Sequence, residues 1–224
     1  MMTPSASVIR MDPMKIPKTE LVKFAKDAFH NASEFKSKLS DEEVRSFQGM
    51  SGLKGRHFLN NLCSIPGTRY LEIGLWKGST FRSALRGNSV IATGIDNWSE
   101  FNGPMEECVA NIKKEVGANT VQIIDSDCFV VDKTKLTGPY DVYFYDGGHS
   151  ATDQYRALTY YTDVLADDFI LVVDDWMQLE VQRGTLFSLR DLDYNVLWEN
   201  HCRSIDNDPL NWWCGMYVAV VSKK

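Results

Sequence analysis

Four residues in the second half of the chain are of types that do chemistry together. Asp146 and His149 fall in "YDGGHS", directly after an apolar run, and Asp174 and Asp175 close "ILVVDD". Short continuous apolar runs of this kind read as strands covered on both faces, which places all three acids at strand ends. Acids gathered at one sheet edge repel one another unless they are protonated or share a cation, and hard carboxylate oxygens select Mg2+ or Ca2+ over a softer ion. The pattern predicts a divalent-metal site built from Asp146, Asp174 and Asp175. A helix cap with a solvated neighbour is the plainer reading of two adjacent aspartates.

A second constellation lies earlier, in "YLEIGLWKGST". Here an apolar strand runs into a turn marked by Gly74 and Gly78, with Glu72 beside it. Such a turn lets backbone approach a ligand at the carboxyl end of a strand. The next strand ends in Asp96, 22 residues beyond Gly74, where a carboxylate can hold ribose hydroxyls. The glycine spacing is not that of a dinucleotide fingerprint. Glu72 would also repel a pyrophosphate, so a cationic or zwitterionic nucleoside suits the site better. A turn of purely structural purpose is the competing reading.

The elements that must carry these residues alternate from about Arg69 onward. Strands are read at 69–74, 89–96, 120–125, 141–148 and 169–175, and helices at 78–86, 104–117 and 151–166. Helical crossovers between buried apolar strands imply parallel pairing, hence a doubly wound α/β fold. The tail departs from this rhythm. "LDYNVLWEN" and "WWCGMYVAVVSKK" are strand-like, with a polar loop and no helix between them, which predicts an antiparallel hairpin at one sheet edge. Before the sheet, "KTELVKFAKDAFHNAS" and "GLKGRHFLNNLCSI" have apolar residues at helical spacing.

Composition removes other classes. A net charge of −6 without a Lys/Arg run argues against a nucleic-acid partner, because phosphate neutralisation dominates that affinity. The opening "MMTPSASVIRMDPMKIPKTE" has no apolar core of leader length, and no apolar run approaches a membrane span. A soluble, cytoplasmic protein is expected, without a membrane partner. Five scattered cysteines suggest neither a disulfide framework nor a zinc site.

"LEIGLWKGST" followed by "ATGID" resembles the first two motifs of class I S-adenosylmethionine-dependent methyltransferases, over roughly Arg69 to the end. The resemblance implies a Rossmann-like domain over 67–224, preceded by a helical extension or lid over 1–66. It implies S-adenosyl-L-methionine as cofactor. Glu72, Gly74, Gly78 and Ser79 would meet its amino-acid part, Asp96 its ribose, and Ser126 and Asp127 its adenine edge. Many members carry a third glycine where this chain has Trp76. The spacing instead resembles the catechol-type and macrocin-type sugar O-methyltransferases. Those branches bind Mg2+ through an acid after strand four and a pair after strand five, 28 residues apart in the catechol type as Asp146 and Asp174 are here. They place a base three residues past the first acid, which is His149. The expected activity is Mg2+-dependent methyl transfer to a hydroxyl of a small diol, sugar or catechol-like acceptor, with His149 and Asp146 catalytic. Trp176 is the aromatic residue best placed to wall that acceptor. A metal-independent methyltransferase, or a catalytically silent relative that only binds, remain alternatives. A homo-oligomer is compatible with the sequence, and DNA adenine methylation is disfavoured because "YDGGHS" stands where its signature would be.

Overall fold

The computed structural model describes residues 16–204 and 208–224. The opening residues, read above as free of a leader, and the middle of the last polar loop lie outside them. Three helices come first: α1 (Lys18–Ser33), α2 (Asp41–Ser46) and α3 (Leu53–Leu62). Then β1 (Arg69–Ile73), α4 (Ser79–Leu85), β2 (Ile91–Asp96), α5 (Met105–Lys113) and β3 (Thr120–Asp125) follow, and after them β4 (Tyr140–Tyr145), α6 (Ala151–Tyr161) and β5 (Leu165–Asp174). The last elements are α7 (Leu179–Asp191), β6 (Asn195–Cys202) and β7 (Met216–Ser222).

One seven-stranded sheet has the order β3-β2-β1-β4-β5-β7-β6. The first five strands are parallel, and β7 pairs antiparallel with both β5 and β6. The doubly wound expectation holds, and so does the antiparallel pairing of the tail. The hairpin is not simply appended, however: its second strand lies between β5 and its first.

Alternation along the strands builds two cores. Val142, Phe144, Ile170, Val172, Val218 and Val220 face one side with residues of α1, α3 and α4. Tyr143, Tyr145, Leu171, Val173, Tyr217 and Val221 face the other with residues of α6 and α7. This is the period-2 pattern of a sheet covered on both faces. Leu21, Ala25, Phe58 and Leu59 share a cluster with the strands, so the N-terminal helices are packed into the core of the sheet.

Two elements escape the sequence reading. α7 buries mainly small and polar residues, Gly184, Thr185 and Ser188 beside Val181 and Leu189, while Leu179 and Phe187 are exposed, which blurs the helical apolar period. Gly184 is needed because a Cβ there would stand 2.3 Å from the Ala151 carbonyl oxygen of α6. The short α2 is marked by a capping box, with the Ser40 side chain accepting from the Glu43 amide, a signal readable at sequence level. β5 starts at Leu165, inside the stretch expected to finish the preceding helix.

Candidate active site

Strand order reverses between β1 and β4, the switch point at which open parallel sheets bind ligands. The loops leaving the carboxyl ends of the strands there are tightly bent. Among the described residues, six of the eight non-glycine residues with positive φ, Trp76, Trp98, Phe101, Asn102, Asp175 and Trp213, lie on this edge. Left-handed backbone is unfavourable for bulky side chains and collects where surroundings over-determine the conformation.

Gly74 fixes the distance between the two central strands. Its φ is +88°, and a Cβ would stand 2.0 Å from the Asp146 carbonyl oxygen. Gly74 N–H donates to Ile95 O at 2.9 Å, while Asp146 N–H donates to Ile73 O at 2.8 Å. The turn then closes at Gly78, φ +80°, before Ser79 opens α4. Asp96 ties this turn to the next loop. Its Oδ2 accepts from Leu75 and Trp76 N–H at 2.7 and 2.8 Å, and its Oδ1 from Trp98 N–H at 2.7 Å. A carboxylate has about four acceptor sites. Three are used in shaping the loop, which leaves Asp96 about one for a ligand.

Glu72 lies underneath the turn and is fully buried. It accepts from Thr80 Oγ1 at 2.5 Å and from the Tyr70 hydroxyl. Both oxygens are thus engaged inside the fold, where the sequence placed the acid against a ligand. Ser79 Oγ is 3.1 Å from Ser51 Oγ, which accepts from Arg56 Nε at 2.9 Å. Arg56 is buried and also donates to the carbonyls of Val44, Phe47 and Gly49. One guanidinium therefore holds the segment between α2 and α3, part of the stretch expected to form a helical extension or lid, against the start of α4.

Burial pushes the Glu72 carboxyl up to about 8 from an ordinary 4.5, despite the two hydrogen bonds it accepts. Asp174 is pushed up to about 8 by burial and by the Asp175 charge. A raised acid holds its proton more tightly in the folded chain than in the unfolded one, so its contribution to stability is lost as pH climbs from the unfolded value through the folded one. The ligand-free protein should therefore melt at lower temperature at pH 9 than at pH 6, and Glu72→Gln should flatten that fall. A thermal-melt series with equal slopes for the two proteins would remove Glu72 as a cause.

The acids at the ends of β4 and β5 do meet. Asp146, His149 and Asp175 each offer a ligand atom within 4.8 Å of the others. His149 Nε2 lies 2.9 Å from Asp175 Oδ2, and Gln178 Nε2 lies 3.1 Å from His149 Nδ1. The bond to Asp175 raises the His149 pKa. Asp175 is itself held below the usual carboxylate range, since the bond and charge of His149 outweigh the upward push of burial. Asp146 is driven well above that range by burial and by the charges of Asp174 and Asp175. Asp174 is outside the 4.8 Å group. It is 5% exposed, and its Oδ1 is buried without a hydrogen-bond partner. An orphaned buried carboxylate oxygen beside further acids is a feature that a cation would resolve. The donor set, three carboxylates and an imidazole, fits a divalent ion.

Other expected contacts are placed differently. Ser126 lines a shallow cleft of about 250 Å³ beside the end of β3, with Ile124, Asp125 and Asp132. Asp127 accepts from Phe129 N–H at 2.7 Å and so shapes its own turn. Trp176 does not wall an acceptor. It is 2% exposed and stacks on Tyr217 at 4.3 Å, because the left-handed turn at Asp175 sends the next side chain back into the core. Trp212 stacks on Phe29 of α1 at 5.2 Å. Sequence reasoning missed Gln178, three residues past Asp175 on an unrecognised helix approach. It also missed Cys214, whose thiol hydrogen-bonds Asp175 and which reads in sequence as one of five scattered cysteines.

Comparison with known proteins fits this geometry. Residues 71–176, from β1 to just past the acid pair, match a family described as "Methyltransferase domain". No curated protein matches the sequence. Among solved structures, cofactor-bound Rv0187 from MTB is 16% identical with a TM-score of 0.58, the alignment covering 97% of this chain and 94% of that one. The O-methyltransferase from Bacillus cereus in complex with SAH is 13% identical with a TM-score of 0.57, covering 96% and 94%. These likenesses speak for the fold. The domain match marks the stretch from β1 to just past the acid pair as similar to a methyltransferase domain. Among the described residues no helix is long and apolar enough to cross a membrane.

Proposed function

We propose that the protein is an O-methyltransferase that moves the methyl group of S-adenosylmethionine to a hydroxyl of a small diol, sugar or catechol-like acceptor, assisted by a divalent ion, with Mg2+ the first choice. The convergence of Asp146, His149 and Asp175 within 4.8 Å carries this reading, together with the unpartnered buried oxygen of Asp174. The likeness to the Bacillus cereus O-methyltransferase supports it.

S-adenosylmethionine, when bound, supplies an electrophilic methyl on a sulfonium. The turn from Gly74 to Ser79 and the carboxylate of Asp96 would hold it. A divalent ion lowers the pKa of a coordinated hydroxyl and orients it; Asp146, Asp174 and Asp175 would hold that ion. His149, the nitrogen base on this edge, would take the hydroxyl proton as the O–CH3 bond forms and the sulfonium S–CH3 bond breaks, leaving S-adenosylhomocysteine. Its ring is steered from both sides, by Asp175 at Nε2 and Gln178 at Nδ1. The segment pinned by Arg56 would border the cofactor and limit water there, which strengthens the charge interactions within.

Calorimetry with S-adenosylhomocysteine and with Mg2+, on wild type and Asp174→Asn, tests the proposal. Both proteins should bind the nucleoside, and only wild type the ion. Equal ion uptake by the two would take Asp174 out of the site. Turnover that survives EDTA would instead favour a metal-independent enzyme.

A further inference from the structure

Asp175 leaves β5 in a left-handed conformation, φ +54°, and its side chain must still point to Asp146 and His149. What holds it is the next residue. Trp176 N–H donates to Gly215 O at 3.2 Å and Met177 N–H to Cys214 O at 3.0 Å, while Trp176 O accepts from Gln182 Nε2 at 2.6 Å. The indole is buried against Tyr217, and its Nε1 donates to His201 Nδ1 at 2.9 Å.

We propose that His201, on the edge strand β6, is a positioning residue for the Asp174–Asp175 pair, acting through the Trp176 indole. The inference rests on the ion-assisted reading of the site. An indole N–H only donates, so His201 must offer Nδ1 as an acceptor and carry its proton on Nε2. That nitrogen faces Glu199, with Nε2 to Oε1 at 3.7 Å. Glu199 is in turn held by the Tyr217 hydroxyl at 2.6 Å. The His201 ring stands edge-on to Trp176 and Tyr217 at 5.3 and 5.2 Å. The indole N–H and the Tyr217 hydroxyl both have acceptors, and one acceptor, His201 Nδ1, fixes the indole. Without it a buried donor is left unsatisfied, an expensive state in an apolar setting. The indole then shifts or recruits water. The left-handed residue immediately before it yields first, and the ligand set loses its geometry. His201 touches neither cofactor nor reacting atoms; it sets where Asp175 points.

The test uses Mn2+ as probe, with affinity read by electron paramagnetic resonance and calorimetry on the full chain. His201→Phe keeps a ring but removes the acceptor, and should weaken Mn2+ binding about tenfold, the low end of what losing an outer hydrogen bond does to a metal site. His201→Asn presents an oxygen close to the Nδ1 position and should restore near-wild-type affinity. Trp176→Phe removes the donor instead, should match the loss in His201→Phe, and should add little to it in the double variant. S-adenosylhomocysteine binding, on the opposite side of β4, should be unchanged in all of them and reports folding. Unchanged Mn2+ affinity in His201→Phe overturns the proposal. So does an asparagine variant as weak as the phenylalanine one, which would make the ring's bulk responsible. Wild type that binds no Mn2+ would remove the ion-assisted reading itself and this inference with it, an outcome distinct from the other two.

Discussion

Asp146→Asn is expected to abolish divalent-ion binding and methyl transfer together, while raising the melting temperature of the ligand-free protein. Both signs come from one cause. Burial and the neighbouring Asp174 and Asp175 disfavour the ionised form of Asp146, so folding carries the cost of keeping this carboxyl from ionising. An amide of the same shape has no charge to suppress and stabilises the fold. The same substitution takes one anionic oxygen out of the group formed with His149 and Asp175. An ion that supplies on the order of 3 kcal/mol of transition-state stabilisation is worth about a hundredfold in rate, so turnover should fall at least that far. Melting curves and ion titrations on the same preparations check both halves. A variant that melts lower than wild type and still takes up the ion would contradict the placement of Asp146 at the centre of the cluster. Such opposition between stability and activity is the usual mark of a site whose charges await a ligand.

Gly74→Ala should be severely damaging, because steric clash and backbone conformation oppose the added methyl group together. The added carbon would stand 2.0 Å from the Asp146 carbonyl oxygen, and φ at +88° is unfavourable for any L side chain. Neither the oxygen nor the backbone behind it can move freely, because Asp146 N–H is bonded to β1 and its carbonyl lies in the same crossing. A cost above about 4 kcal/mol is expected, enough to unfold the domain or to push β1 and β4 apart. S-adenosylhomocysteine binding should disappear with it. Gly78→Ala provides the contrast. Its Cβ would meet side-chain atoms of Cys108 and Ile112 at 3.2 Å, which can yield, so the penalty should be about 1–2 kcal/mol for the left-handed φ and binding should survive in weaker form. Similar losses in the two variants, by denaturant titration, would show that backbone conformation rather than the β1–β4 approach limits this turn.

Much of this architecture is legible in the sequence, and for identifiable reasons. Strands such as "DVYFYD" and "FILVVDD" are continuous apolar runs because both of their faces are covered, and their terminal acids mark the ligand edge without further information. The helix α1 is read to the residue, since its apolar spacing is regular. What stays hidden is set by contacts distant in sequence. Nothing in "LEIG" reveals that Glu72 bonds Thr80 and Tyr70 under the turn, and the choice between facing a ligand and facing the core is made by α4 packing above it. Trp176 looks like a site residue because it follows the acid pair, yet one left-handed residue reverses its direction. His201 has no local motif, and its partners come from the turn after β5 and from β7. The helix α7 is obscured because close approach to α6 replaces large apolar residues with Gly184, Thr185 and Ser188.

The position of β7 has a bearing on how the chain is made. It lies between β5 and β6, both of which the ribosome delivers earlier, so β6 has no neighbour to join while the nascent protein grows past it. Through that interval Trp176 has no Tyr217 to rest on, and the acid pair is unsupported. The half of the sheet that runs from β3 to β4, complete once β4 is made, is free to assemble during synthesis, as leading segments commonly do. The proposed site has to wait for the strand that is threaded in afterwards.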